Sequence, residues 1–166
     1  MKYKKLNRSE LFWHYSIVFF MLIVPFLNFK DIILNGKFQL ENSTLLFTIL
    51  SVFFLFLQKN RLRYKQIEEE LKFLSISELC DFLIKKYNWV LVKKSNQSYL
   101  FERSFDLNVS IGSWGELITV IIKEDKILFN SICNPNAPTS IASWGMNRRN
   151  YKQFKNAISL LRSHHA

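Results

Sequence analysis

Residues 11–29 read LFWHYSIVFFMLIVPFLNF, nineteen in a row with no formally charged side chain. As a helix they reach about 28 Å, close to the hydrocarbon thickness of a bilayer. Trp13 and Tyr15 lie near one end, where amphipathic rings favour the headgroup level. Pro25 is able to kink the span, which a membrane helix tolerates. The preceding MKYKKLNRSE is basic, as a signal peptide requires. The apolar run is long, however, and no small-residue cleavage site follows it. The expectation is an uncleaved anchor.

A second run, TLLFTILSVFFLFL over 44–57, is short for a span at fourteen residues. Leu40–Ser43, tilt or local thinning completes it; the alternative is a buried or re-entrant helix. The intervening KDIILNGKFQLENS is neutral overall, with a turn expected around Asn35-Gly36. Lys4, Lys5 and Arg8 precede the first run, and Lys59, Arg61, Arg63 and Lys65 follow the second. The positive-inside rule then places both flanks and both termini in the cytoplasm, with the hairpin in the inner membrane.

No glycine or proline falls between Gly36 and Gly112, so the second helix is expected to continue to about Leu74. Leu57, Tyr64 and Leu71 recur every seven residues, with Asn60, Ile67 and Leu74 offset by three. Such a stalk lies on its own soluble domain or packs on copies of itself. The expected division is a membrane hairpin over 1–58, a basic stalk helix over 59–74 and a cytosolic α+β domain over 75–166.

In that last domain Ser75 and Glu78 fit a capping box, and Asn88 a helix end. WVLVKK (89–94) and SYLFERSF (98–105) read as strands around Ser95-Asn96-Gln97; LITVIIKE (117–124) and KILFNSIC (126–133) read as a second hairpin. The final helix starts with Asn147 as its expected N-cap and carries Tyr151, Phe154, Ile158 and Leu161 on its apolar face. The order α-β-β-β-β-α predicts a four-stranded antiparallel sheet with helices on one face.

Two near-copies of one word border these elements: IGSWGE at 111–116 and IASWGM at 141–146. They hold three of the chain's four glycines, Gly112, Gly115 and Gly145, and two of its four tryptophans, Trp114 and Trp144. Both words fall at the same end of the second hairpin, with Asn130, Ser131, Asn134, Asn147 and Asn150. Two readings stay open: the tryptophans cap the core while the glycines turn the chain, or indoles and amides line a ligand pocket.

The chain's net charge of +10 suits a membrane protein with basic flanks or a nucleic-acid binder. The last helix concentrates Arg148, Arg149, Lys152, Lys155 and Arg162, a face for lipid headgroups, nucleic-acid phosphates or a protein partner. No constellation for catalysis, no metal spacing and no cofactor motif emerges. Cys80 and Cys133 read as small buried hydrophobes. A HEPN-type RNase needs an Arg shortly before a His on a soluble helix. The one formal match, Arg8 and His14, sits at the mouth of the first apolar run.

Hydrophobic segments at 11–29 and 44–57 ahead of a basic domain, with a Lys/Asn/Phe/Ile-rich composition, resemble one known family. These are the small membrane accessory proteins encoded beside the RNA-guided RNase of type VI-B CRISPR loci. The resemblance is architectural and includes no specific motif; the family's divergent Arg–His motif is missing from the soluble part. It implies a homo-oligomeric pore in the lipid bilayer, with a functional link to that RNase in antiphage defence. The sequence reading is therefore a non-enzymatic membrane protein that self-assembles. Its rival is a membrane-tethered module that reads a ligand, RNA or protein through the Trp-Gly end and the basic helix.

Overall fold

The computed structural model describes residues 3–35, 42–68, 75–103, 115–123, 126–135 and 146–165. The chain divides into two compact units: Leu6–Arg61, and Met1–Lys5 together with Leu62–Ala166.

The first unit is helical. Asn7 caps α1 (Arg8–His14) by a reciprocal pair of bonds: Glu10 N–H donates to Asn7 Oδ1 at 2.8 Å, and Asn7 N–H to Glu10 Oε2 at 2.9 Å. The chain bends by 63° at Tyr15 and enters α2 (Ser16–Asn35). Pro25 lies within α2. Helix α3 covers Asn42–Arg61, so the second apolar run is extended at both ends. Helices α2 and α3 run antiparallel. His14 pairs with Gln58 at one end of the unit, and Asn28 Nδ2 donates to Thr44 Oγ1 toward the other. Among the described residues, Asn42–Arg61 alone is a single helix long and apolar enough to cross a membrane. The bent pair Arg8–His14 and Ser16–Lys30 meets that test only when taken together. The expected outer turn at Gly36 lies outside the described residues.

The second unit is α+β. Its elements are β1 (Lys65–Ile67), α4 (Ile76–Tyr87), β2 (Val90–Lys94), β3 (Ser98–Arg103), β4 (Glu116–Ile122), β5 (Ile127–Cys133) and α5 (Met146–His165). The sheet is antiparallel throughout, in the order β1-β5-β4-β3-β2. Local signals explain much of it. Ser75 Oγ accepts from Glu78 N–H at the start of α4, and Asn88 ends the helix in the left-handed region at φ 55°. Ser95 and Ser98 exchange backbone bonds of 2.8 and 3.3 Å across the β2–β3 turn.

The stalk helix is corrected. Helix α3 stops at Arg61, and residues 65–67 form a fifth strand, paired as Lys65 with Phe129 and Ile67 with Ile127. The outer edge of β5 offers unpaired backbone groups, and three residues of β1 satisfy them. Tyr64 and Ile67, expected on a stalk seam, are buried in the sheet domain, whereas Leu57 stays on α3. Leu71 and Leu74 lie outside the described residues.

Strand alternation puts Tyr99, Phe101, Ile118, Val120, Ile127 and Phe129 on the face that meets α5. Phe154, wholly buried, stacks parallel to Trp89 at 6.4 Å and meets Phe129 at 5.1 Å. Each such side chain contributes about 1.5–3 kcal/mol through burial. This core fixes α5 across the sheet and thereby the polar groups at its first turns.

Candidate functional site

Gly115 immediately precedes β4 with φ at +99°, a conformation that L side chains rarely adopt. A Cβ there would lie 3.1 Å from the carbonyl oxygen of Arg103. Its own carbonyl accepts from Asn134 N–H at 3.0 Å, which brings the start of β4 and the end of β5 together. The turning role expected of this glycine therefore has a cause. Trp114, Trp144, Gly112 and Gly145 lie outside the described residues.

A buried polar chain occupies this end of the sheet. Arg103 Nη1 donates to Asn150 Oδ1 at 3.1 Å, and Asn150 Nδ2 donates to Ser131 Oγ at 3.0 Å. Ser131 Oγ in turn donates to Asn147 Oδ1 at 3.1 Å. Glu116, only 1% exposed, faces Arg103 in register on the neighbouring strand. Opposite charges placed so on adjacent strands favour each other. At the rim, Asn134 Nδ2 donates to Glu102 Oε1 at 2.6 Å.

The expected amides are thus partly gathered. The Asn134 side chain turns away to Glu102, which neighbours Arg103 on β3 and takes the opposite face. Asn147 and Asn150 meet through Ser131, but Asn150 is 0% exposed. It joins a closed network instead of lining an open cleft. Asn130 is corrected: it lies next to Ser131 on β5, so its side chain takes the opposite face and donates to the Arg63 carbonyl at 3.1 Å. Asn147 is corrected too, because α5 already begins at Met146 and its side chain accepts from Ser131. Arg103 and Glu116 were not singled out from the sequence. The signal was available: Arg103 is two residues beyond Phe101, and Glu116 two before Ile118, so alternation places both inward.

The basic residues of α5 stand apart from this network. Arg148, Arg149, Lys152, Lys155 and Arg162 are all exposed. Arg148, Arg149 and Lys152, with Gln153 and Asn156, line an open depression of about 540 Å³. Tyr151 turns the other way, its ring under the Lys65 ammonium at 4.4 Å.

The flanking cations divide by role. Lys5, Arg8, Lys59, Arg63 and Lys65 are exposed, and Arg61 is half-buried, with its guanidinium 3.3 Å from Gln58 Oε1. Lys4 uses its backbone, donating N–H to the Leu62 carbonyl at 2.8 Å, beside a bridge between Tyr3 and Arg63.

His14 Nε2 lies 3.0 Å from the Gln58 carbonyl, near the end of α3 where carbonyls lack helical partners. Among the described residues, no three of His, Cys, Asp and Glu gather as metal ligands would. Burial pushes the Cys80 thiol above its ordinary value; Lys94 opposes this and Asp81 adds to it. A neutral thiol is a poor nucleophile. Comparison with protein-family models, with curated proteins and with solved structures found no match.

Proposed function

We propose that this chain is a non-enzymatic integral membrane protein. In this reading α1–α2 and α3 form a bilayer-embedded hairpin, and the α+β unit is its cytosolic domain. One observation carries the reading: the helical unit is apolar outside and polar inside. Phe20 is 73% exposed and Phe26 68%, while Ser51 and Gln58 are 2% and 3% exposed. Water penalises such a surface, whereas lipid accepts it and leaves the polar groups to pair within the protein.

The Tyr3–Arg63 bridge and the Lys4–Leu62 bond support two crossings over one. They tie together the residues that lead into and out of residues 6–61, which supports a segment that leaves and returns on the same side. In this reading the cations at both of these positions put that side in the cytoplasm under the positive-inside rule, and the membrane is the bacterial inner membrane that the family resemblance implies.

We read the membrane function as self-assembly. Copies of the hairpin surround an axis, and their basic domains form a cytosolic ring. The family resemblance supplies the purpose, a pore that compromises the membrane during phage infection. The test is native mass measurement of the full chain in detergent, joined to a dye-release assay from liposomes. A large stable species that releases dye is expected. A monodisperse monomer that leaves liposomes sealed, or a folded chain recovered from the cytosolic supernatant, ends the proposal.

A second reading is favoured by the cationic depression on α5: the hairpin only tethers a binding module. Neutralising Arg148 and Arg149 together then abolishes function while assembly in detergent stays unchanged.

A further inference from the structure

We infer that the depression on α5 is a binding site for a phosphate ester of nucleotide or headgroup size. The inference deepens the tethered-module reading by naming its ligand chemistry, and it stands whether or not the chain forms pores. Four observations converge on it.

The first is charge that the helix's own residues do not offset. The twenty residues of α5, MNRRNYKQFKNAISLLRSHH, contain no Asp or Glu. Arg148 and Lys152 are four apart and Lys152 and Lys155 three apart, the spacings at which like charges on a helix repel. The second is position. Arg148 and Arg149 stand in the first turn, whose free N–H groups already carry positive potential, and no acidic residue is there to offset it. Cations at this end cost the helix stability, and a bound anion reverses the sign of that term.

The third is shape. The depression is open and shallow, walled by one face of α5, and its volume of about 540 Å³ exceeds one inorganic ion, so a larger anion rests against its wall. Two guanidiniums and an ammonium on its wall match phosphate oxygens, and guanidinium pairs with them in bidentate fashion. The fourth is the remaining lining. Gln153 and Asn156 add amides, and Gln153 Oε1 is turned out of solvent with no donor in reach among the described residues. Rotation of that side chain presents an acceptor to a hydroxyl or amino group of the ligand, which a bare phosphate lacks.

The shared chemistry, a phosphate ester beside a hydroxyl, occurs in soluble nucleotides and in the headgroup of phosphatidylglycerol. The experiment uses the full chain in phosphatidylcholine nanodiscs. One arm titrates adenosine 5′-monophosphate by calorimetry. The other raises the phosphatidylglycerol content and counts retained lipids by native mass spectrometry. Arg148→Gln with Arg149→Gln is compared with the equally charged Lys155→Gln with Arg162→Gln, which lies outside the depression. Binding in either arm that falls about tenfold or more in the first variant, and under threefold in the second, establishes the site and its source. Equal loss in both variants, or no binding in either arm, overturns it. The Gln153→Ala variant retains the charges; an unchanged preference for the nucleotide over inorganic phosphate in that variant removes the hydroxyl from the proposal.

Discussion

The backbone N–H of Lys4 donates to the carbonyl of Leu62 at 2.8 Å, across fifty-eight residues of sequence. Closing so long a loop costs chain entropy that the bond alone does not offset. The helical unit between them, with its internal pairing of α2 on α3, brings the two points together.

That tie predicts a cross-link. Directly opposed antiparallel residues have Cα atoms about 4.5–5.5 Å apart, inside the range a disulfide spans. Tyr3→Cys with Arg63→Cys is expected to oxidise to an intramolecular bond in isolated membranes, in a Cys80→Ser, Cys133→Ser background. Gel mobility before and after reduction reads it. Formation of dimers only, with no intramolecular product, contradicts the bridge.

Gly115 predicts a backbone cost. Gly115→Ala forces a Cβ onto a φ of +99° and against the Arg103 carbonyl at 3.1 Å. Where the native φ is incompatible, the penalty exceeds the ordinary glycine-to-alanine gain, so a loss of about 1–3 kcal/mol is expected. A thermal melt of the full chain in detergent, followed by circular dichroism, shows it as a lowered midpoint. An unchanged or raised midpoint rejects this account of the glycine.

The polar chain behind Gly115 predicts a larger effect from a residue with no exposed surface. Asn150→Leu removes an acceptor from the Arg103 guanidinium and a donor from Ser131 in one step. A buried charged donor that loses one of its partners, while a buried hydroxyl loses another, costs about 2 kcal/mol, roughly 10 °C in a domain of this size. Ser159→Ala, on the exposed side of α5, is expected to stay within about 0.5 kcal/mol. Equal melts for the two variants reject the network as a source of stability.

Legibility followed range. Ser75 and Asn88 bound α4 by bonds within a few residues, so the sequence alone marked both ends. The strands from Val90 to Cys133 were legible because apolar alternation and short turns coincide there. Strand β1 was not: three residues gain their state from Phe129, Leu128 and Ile127, some sixty positions away. The seven-residue spacing of Leu57 and Tyr64 suggested a helix that pairing then overrode. Asn130 and Ser131 illustrate a finer limit. A reading that groups residues by the end of a hairpin ignores the face, and neighbours on a strand point oppositely. Charge was legible as composition, whereas its concentration around one depression depends on which side of α5 Phe154 and Ile158 bury.

Cys80 predicts how the domain responds to alkaline pH. Burial raises the folded thiol above its ordinary value of 9.0, ahead of the smaller effects of Lys94 and Asp81. Below that value folded and unfolded chains both hold the proton, so this group's contribution to stability is fully present. Above it the unfolded chain releases the proton first, and stability falls as pH rises through the folded value. Tyr64, raised by burial from 10.0, adds a second loss of the same sign at higher pH. Denaturant midpoints of the full chain are therefore expected to decline from about pH 9 upward. Cys80→Ser should flatten the first part of that decline, leaving the later part tied to Tyr64. Alkylation gives an independent reading: with Cys133→Ser in place, iodoacetamide should modify Cys80 more slowly than a thiol in a short peptide at pH 8. Faster modification than the peptide, or midpoints that rise between pH 9 and 10, contradicts a thiol held neutral by burial.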